Sequence, residues 1–577
     1  MARKSLGELL YDQARYNPSG IAITYGSRKI AWGELNTRVN RLANALKRLG
    51  LKKGDHVTVM FHDCPEFIES NYAIQKIGAV PVPMNFRFIA REIEYQTSQS
   101  DSIMFIFEDL FLGEVIKARP SLNMVRKFVC FRREKADLAD SMVDYEGLIA
   151  ASPDSEPEPC TTEEDVCVIC YTGGTTGMPK GVVLTYGNFW NMAEAVFGDL
   201  LARLAMDSNA NIGKIFSRLV PMPGIERLVG RIIKYDRARA VLANLLKTSF
   251  SRTIGKPIGP FLNRLSGSLS MFLNMPLSHM ANYQVLITGP MIGLASFILR
   301  PGIRFDPVEV LEIIERERPI VLMLVPTQWK RVLDYPGLRR YDTSSVLLAM
   351  TGAGLNPAER KKRILEEFPN AVVVDVFGQT EMTPNTTVRI DSLPDSIKDR
   401  SVGRPLDSIE MRVVGPDGKD VPRGEIGEIL YRSLTVMKEY YKDSRKTGEV
   451  MKGGWFHSGD LGYMDEDGEL IVVDRKGETI STGGEKVYPH EVEEILESHP
   501  KVRYACVIGV PDEEWGQAVR AVLELEDGER ATGEEIREWL GDKLTGFKRP
   551  KSIIFVEKLP LSPVGKVLRK KVKEMFG

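Results

Sequence analysis

Asp165-Val166-Cys167-Val168-Ile169-Cys170-Tyr171 runs directly into Thr172-Gly173-Gly174-Thr175-Thr176-Gly177-Met178-Pro179-Lys180-Gly181. The first segment is apolar and rich in β-branched residues, so it predicts a buried strand. The second has glycines where a backbone must bend tightly and turn its N–H groups toward an anion. Threonine hydroxyls add donors, and Lys180 adds charge. The set suits a triphosphate. It is not Walker spacing, because Lys180 does not directly follow a glycine. A strand that ends on an anion-binding loop is an α/β signature.

Helical and strand patterns alternate around this segment. Leu35–Leu49 carries apolar residues at helical spacing and stops at Gly50, and His56–Phe61 then reads as a strand. Asp306 is expected as an N-cap, with Pro307 at N1 and Glu309 completing a capping box. That helix runs to about Arg318, Pro319 stops it, and Ile320–Val325 follows as a strand. Ala371–Phe377 is another buried strand. The alternation predicts layered parallel sheets covered by helices. From about 408 to 474 the texture becomes hairpins, with turns at Gly415–Gly418 and Asp465–Gly468, which predicts a small β-barrel-like subdomain. Beyond Arg475-Lys476-Gly477 the pattern is α+β. The expected division is a large N-terminal domain, 1–475, and a small mobile domain, 476–577.

Composition narrows the class. The chain has 577 residues, 43% hydrophobic and 27% charged, which excludes a disordered, collagen-like or coiled-coil protein. Lys and Arg number 77 against 78 Asp and Glu, so no global charge marks a nucleic-acid binder. Six cysteines cannot form a disulfide framework, and the Cys167/Cys170 pair reads as two core residues. The N-terminus has no apolar signal core, and the longest apolar run, Val285–Leu299, is too short to span a bilayer and reads as a buried core helix. A cytoplasmic protein is expected. Residues 199–268 stand apart, with 12 Lys/Arg against 4 Asp/Glu. Apolar residues recur there at helical spacing between Arg227, Arg231, Lys234, Arg237 and Arg239. This reads either as an inserted helical hairpin packed on the main fold or as an amphipathic surface for an anionic membrane or a partner.

Further motifs make a family resemblance specific. The Thr172–Gly181 loop resembles the phosphate-binding loop of the adenylate-forming superfamily: acyl-CoA synthetases, peptide-synthetase adenylation domains and firefly luciferase. In the same order come Thr351-Gly352-Ala353-Gly354, similar to the adenine-facing segment, and Phe377-Gly378-Gln379-Thr380-Glu381, similar to the aromatic-Gly-x-Thr-Glu motif. Trp455–Asp460 resembles the ribose segment, and Asp474-Arg475 precedes the hinge. Ser481–Pro489 resembles the thioesterification loop, and Leu559–Lys566 the catalytic-lysine motif.

The resemblance implies a two-step ligase. A carboxylate attacks the α-phosphorus of ATP and pyrophosphate leaves; CoA then displaces AMP from the acyl-adenylate. Because charge builds on oxygens already anionic, cations and aimed donors are what such chemistry needs. By resemblance, the catalytic residues are Lys566, Glu381 and Thr380. Lys566 bridges the carboxylate and α-phosphate, Glu381 holds Mg²⁺, and Thr380 contacts the α-phosphate. ATP binding falls to Thr172, Gly173, Gly174, Thr175, Thr176, Gly177, Lys180, Ala353, Gly354, Phe377, Gly378, Asp460 and Arg475, with Asp460 accepting from the ribose hydroxyls. Gly483, Gly484, Glu485 and Lys486 form the CoA-side loop. Lys476 and Gly477 form the hinge, where Gly477 replaces the more frequent Asp or Lys.

The acyl pocket is expected to include His279, Thr327 and Gly352, among segments around 275–283, 325–329, 352–354 and 378. No acid lies in Pro276–Ala281 to bind an amino group, so an amino-acid substrate is not expected. Gly173 in place of the commoner serine resembles long-chain ligases, so a medium- or long-chain fatty acid is the expected substrate. Two alternatives stay open: a ligase that loads a carrier protein, and a catalytically silent acyl or nucleotide sensor at the membrane. The expected partners are the acid, ATP and CoA, with no nucleic acid. Peripheral contact with the inner membrane surface through 199–268, and a homodimer, are further options.

Overall fold

The computed structural model describes every residue except 1–2, 135–136, 139–140, 173–178, 208, 210–211, 220–223, 233, 254–268, 293–294, 483–484, 545 and 563–564. Two large sheets organise the N-terminal part. One is wholly parallel, in the order Val80–Pro83, His56–Met60, Ser102–Glu108, Lys127–Phe131, Met142–Asp144. The other has nine strands. Its centre is parallel and runs Val372–Gly378, Leu348–Gly352, Val321–Leu324, Leu269–Leu273, Ala295–Leu299, Ile21–Tyr25. Antiparallel strands close both edges. The α/β architecture expected from the alternation is therefore observed.

Two helices are buried on nearly every face. Every residue of Pro65–Lys76 is buried, as is nearly all of Met280–Ile292. They are joined by polar contacts that satisfy groups with no access to water. Tyr72 donates to the Leu286 carbonyl at 2.6 Å, and Tyr283 donates to Asn71 Oδ1 at 3.0 Å. The apolar run 285–299 is thus not one core helix. It is a helix carrying Pro290 and then a strand, Ala295–Leu299. Apolar content alone does not distinguish the two, because both elements are buried.

Asp306 caps its helix as expected, accepting from Val308 N at 2.9 Å. Glu309 does not complete a capping box. It turns to Arg300 Nη1 at 2.7 Å and Gly302 N at 3.2 Å, because a buried guanidinium outcompetes one terminal N–H for a carboxylate.

The strand Val166–Thr172 pairs antiparallel with Lys180–Thr185, and Glu439–Tyr440 adds a third strand. The loop expected to bind phosphate therefore lies between two hairpin strands. Gly173, Gly174, Thr175, Thr176 and Gly177 fall outside the described residues. Cys167 and Cys170 are buried free thiols.

The hairpin-rich stretch forms a five-stranded antiparallel sheet that includes Glu410–Val414, Gly427–Arg432, Trp455–Met464 and Leu470–Arg475. After Arg475 come the hairpin Val502–Asp512/Gly516–Leu525, the parallel strand Ser552–Val556, and helices Pro489–Glu497, Gly533–Leu540 and Arg569–Phe576. Between the two parts, Asp474 Oδ2 accepts from His490 N at 3.1 Å, in the first turn of helix Pro489–Glu497. Arg400 meets Glu494 through two bonds of 2.8 and 2.9 Å, and Lys330 pairs with Glu526.

In the basic stretch, the helix Asp236–Thr253 packs along Tyr186–Met206, with shorter helices Ile212–Leu219 and Ile225–Ile232 between them. No helix among the described residues is long and apolar enough to cross a membrane.

Candidate active site

Three neighbouring parallel strands of the nine-stranded sheet end at one place. Gly352 closes one, Gly378 closes its neighbour, and Leu324 leads into the helix Pro326–Leu333 that carries Thr327. Ligands in parallel α/β sheets gather outside the carboxyl ends of strands. Gly352 lies against its neighbour so closely that a Cβ there would meet the Val376 carbonyl at 2.8 Å. Ala353 follows with φ +60, which turns the chain out of the sheet.

Asp460 and Arg475 face each other across antiparallel strands, and Arg475 Nε lies 3.1 Å from Asp460 Oδ1. Ser458 Oγ accepts from Asp460 N at 3.0 Å and donates to the Ile429 carbonyl at 2.6 Å, fixing the turn. Gly459 takes φ +73 there, and its carbonyl accepts from Lys476 N at 2.9 Å. Burial raises the Asp460 carboxyl above the usual range. Arg475 and Lys566 pull it down, and Glu381 pushes it up.

Glu381 sits in a short turn after the Gly378 strand, buried, with its backbone oxygen accepting from Met437 N at 2.7 Å. Tyr440 donates to Glu381 Oε1 at 2.8 Å. The same ring lies 5.4 Å from Lys180 Nζ, a cation–π distance. Tyr440 therefore ties the strand leaving the phosphate loop to the Glu381 turn, a role not foreseen from the sequence. Nothing local marks it, because 59 residues separate Tyr440 from Glu381. Burial lowers the Lys180 ammonium, as does the neighbouring Lys446, while Asp443 and Glu381 raise it.

Lys566 arrives from the C-terminal part. A tight turn presents it: Ser562 N donates to the Lys566 carbonyl at 2.6 Å, and Ser562 Oγ accepts from Lys566 N at 3.0 Å. Gly565 has φ +77, and a Cβ there would lie 2.6 Å from Thr327 Oγ1, so only glycine passes this point unstrained. Lys566 Cε is 3.9 Å from where a Cβ on Gly354 would be. The side chain reaches cleft solvent, yet the protein around it displaces much of the bulk water. That desolvation, with Arg475 beside it, brings the ammonium down to about 8, while Asp460 opposes the shift. His279 lies in the same field. Burial and the Lys566 charge push its imidazole down to about 4, so it is neutral near pH 7.

Of the expected residues, the structure thus brings together Lys566, Asp460, Arg475, Glu381, Gly354, Thr327 and His279. Thr380 adjoins Glu381, and Phe377 and Gly378 end the strand before it. Glu485 and Lys486 lie exposed on a short hairpin strand of the C-terminal part. Gly483 and Gly484 lie outside the described residues. Lys476 and Gly477 follow the Leu470–Arg475 strand, and among the described residues no atom within 4 Å would meet a Cβ on Gly477.

A Mg²⁺ ion fits this donor set. Glu381 offers one oxygen not bonded to Tyr440, and such an ion takes few protein ligands beside phosphate oxygens and water. Elsewhere among the described residues, the group of His62, Cys64 and Glu108 has ligand-like spacing. Arg133 Nη1 already fills it, 3.0 Å from Glu108 Oε1 and 2.9 Å from His62 Nδ1, so a cation is in place without a metal.

Comparison with known proteins agrees with this geometry. The pattern of the AMP-binding enzyme family matches residues 10–219 and 238–441, and that of the AMP-binding enzyme C-terminal domain matches 491–566, ending on Lys566. A feruloyl-CoA synthase of Amycolatopsis sp is 31% identical over 100% of both chains. A long-chain-fatty-acid–CoA ligase of Bacillus subtilis (strain 168) is 28% identical, covering 100% of this chain and 95% of that one. Among solved structures, a Mycobacterium tuberculosis fatty acyl CoA synthetase superposes with a TM-score of 0.68 at 26% identity, over 99% of this chain and 98% of that one. An anthranilate CoA ligase in complex with anthranoyl-AMP superposes at 0.79 and 24% identity, over 100% of this chain and 98% of that one, and shares the fold. With both family patterns matched in order across a cleft assembled in this way, the chain belongs to the AMP-binding, adenylate-forming enzyme family.

Proposed function

We propose that the chain is an AMP-forming acid–CoA ligase acting on an organic acid with an apolar body. The observation that carries this is the position of Lys566, beside Asp460, Arg475, Gly354 and His279 although it belongs to the C-terminal part. In the first step a carboxylate oxygen bonds to the α-phosphorus of ATP and pyrophosphate leaves with the electron pair. Lys566 supplies positive charge between the two anionic reactants, and Thr380 donates to the α-phosphate. Asp460 accepts from the ribose hydroxyls, and Arg475 keeps that carboxylate ionised and in place. Ala353, Gly354 and Phe377 pack against the base. His279, being neutral, adds no second cation to compete for the substrate carboxylate. Glu381 would hold Mg²⁺, which neutralises phosphate charge when bound. In the second step the CoA sulfur bonds to the acyl carbon and gives its proton to solvent, while the bond from that carbon to the phosphate oxygen breaks and AMP leaves with the electron pair. The C-terminal part turns at Lys476-Gly477, withdraws Lys566, and brings the 483–486 loop to the cleft.

The acid itself is either a medium- or long-chain fatty acid, as the sequence suggested, or an aromatic acid. The second reading is favoured by the feruloyl-CoA synthase relative and by an indoleacetate–CoA ligase of Aromatoleum aromaticum at 27% identity. The test offers ATP, Mg²⁺ and CoA with alkanoic and aryl acids. Acid-dependent pyrophosphate exchange without CoA, and AMP release completed by CoA, are expected. Background turnover across the panel would favour the silent-sensor alternative. Turnover with a phosphopantetheinyl carrier but not with CoA would favour carrier loading.

Contact of the basic helices with an anionic bilayer is a separate part of this reading. Tyr235, Val241 and Leu245 are exposed at 70%, 60% and 55%, beside exposed Arg231, Lys234 and Arg237. Pelleting with anionic liposomes should then fall with salt, and salt-independent or absent pelleting would defeat it.

A further inference from the structure

The turn that delivers His279 to the cleft is held from both parallel sheets. It leaves the carboxyl end of strand Leu269–Leu273, in the nine-stranded sheet, and His279 N closes it by donating to the Pro276 carbonyl at 2.9 Å. Its start is held by residues that follow the same sheet. Arg300 Nε donates to Asn274 Oδ1 at 3.0 Å, Gln328 Nε2 to the Asn274 carbonyl at 3.0 Å, and Asn282 Nδ2 to the Met275 carbonyl at 2.6 Å. Its corner is held from elsewhere. Leu277 N donates to Asp63 Oδ1 at 2.7 Å, across 214 residues of sequence. Asp63 stands between strand His56–Met60 of the wholly parallel sheet and helix Pro65–Lys76.

That bond has a physical reason. Leu277 is fully buried, and at the second position of a turn its N–H points away from the turn's own closing bond. A buried N–H without a partner is costly. Among the described residues no acceptor other than Asp63 takes this one. A carboxylate oxygen gives the stronger, charge-assisted bond, and the short distance agrees with it. The corner so fixed lies two residues before His279, whose Nδ1 accepts from Ala281 N at 3.3 Å. The imidazole is therefore keyed to the same turn, and on its cleft side it meets the field of Lys566.

Resting on the ligase reading, we propose that Asp63 is a positioning residue for activation of the acid: by holding Leu277 N it sets where His279 stands relative to Lys566. Asp63 acts through the turn and makes no contact with substrate. Loss of its acceptor lets the corner shift to find another partner, and an ångström of drift at a reacting group costs up to about 100-fold.

The test measures pyrophosphate exchange by the whole chain on 4-hydroxycinnamate and decanoate, varying acid and ATP separately. Asp63→Ala should lower kcat/KM for the acid about 10- to 100-fold and leave KM for ATP within about twofold. Asp63→Asn keeps an oxygen at the same reach and should stay within about threefold of wild type. Asp63→Glu keeps the charge but carries the oxygen one methylene too far, so it should resemble Asp63→Ala. In a His279→Ala background, Asp63→Ala should cost less than about twofold more, because its effect runs through that ring. Thermal stabilisation by ATP shows whether each variant folds around the nucleotide; should Asp63→Ala lose it, the contrast of Asn with Glu decides. Equal losses for acid and ATP, an Asn variant as slow as the Glu variant, or losses that multiply fully in the His279→Ala background overturn the proposal while the ligase reading stands. A wild-type chain with no exchange on either acid or on any other of the panel loses both.

Discussion

The two halves of the cleft are built by opposite means. On the nucleotide side, charged groups are fixed by backbone register: Asp460 faces Arg475 because their strands pair, and Glu381 is held by Tyr440 and by its own turn. On the acyl side the groups are neutral and held by packing. His279 is kept uncharged by burial and by the Lys566 charge. A triphosphate is the same in every turnover, so its site can be fixed in hairpins. The acid differs between enzymes of one chemistry, and on the reading proposed above a pocket of packed neutral side chains can change shape without moving a charge. Lys566 touches both halves and sharpens the contrast most. Lys566→Ala should lower acid-dependent pyrophosphate exchange about 100- to 1,000-fold. CoA transfer from preformed acyl-adenylate should survive. Equal loss in both half-reactions would show that the lysine holds the fold and does not bridge the reactants.

Next in size is the turn that presents Lys566. Gly565→Ala puts a methyl 2.6 Å from Thr327 Oγ1 at a φ of +77. Either Thr327 shifts or the lysine does, and an ångström of misplacement costs about 10- to 100-fold in adenylation. Thr327→Ala combined with Gly565→Ala removes the collision and keeps the backbone strain, so rate should return in part. If the double variant is no faster than the single one, the collision is not the cause.

The charged half should also respond to pH through one group. Lys566 is held at about 8, below the ordinary lysine value, and its protonated form is the useful one. Exchange at low ATP should therefore fall as pH rises through about 8, roughly tenfold by pH 9. Lys566→Arg should move that limb beyond the accessible range, whatever it does to the rate. An alkaline limb unmoved by the arginine would have to come from another group. A smaller effect is expected for Tyr440→Phe, which leaves Glu381 without its hydroxyl partner. About a fivefold fall in kcat/KM for ATP should appear, with a higher Mg²⁺ requirement. A loss indifferent to Mg²⁺ would separate Tyr440 from Glu381.

These residues were not equally legible in the sequence. The α/β layering could be read because buried parallel strands are continuous apolar runs, as in Val321–Leu324 and Val372–Gly378. Asp460, Arg475, Glu381 and Lys566 could be read because each lies in a short motif set by local turns. Tyr440 could not, because its contact with Glu381 exists only between distant segments. The run 285–299 misled because burial hides the periodicity that separates helix from strand. The basic stretch 199–268 stands out by charge, either as an inserted hairpin or as an amphipathic surface, but charge does not mark where the family pattern breaks: the flanking helices Tyr186–Met206 and Asp236–Thr253 lie largely within it. Only 220–237 falls outside it.

The smallest expected effect tests whether the two parts of the chain are balanced between half-reactions. With Lys566 in the cleft, ion pairs span the parts: Lys330 with Glu526, and Arg400 with Glu494. Neither pair contains a residue assigned here to substrate, and turning at Lys476-Gly477 would separate both. Their side chains are 19–29% exposed, so each is worth little, about two- to threefold in the balance between the arrangements. Glu526→Gln should then slow adenylation and quicken CoA transfer by that factor, in opposite directions, because one equilibrium feeds both rates. Glu494→Gln should act likewise, and the double variant should multiply the two if the pairs are independent. The opposed signs are the diagnostic. A substitution that merely loosened the fold would slow both half-reactions, and one that did nothing would leave the balance to the other contacts between the parts, that of Asp474 with the start of helix Pro489–Glu497 among them.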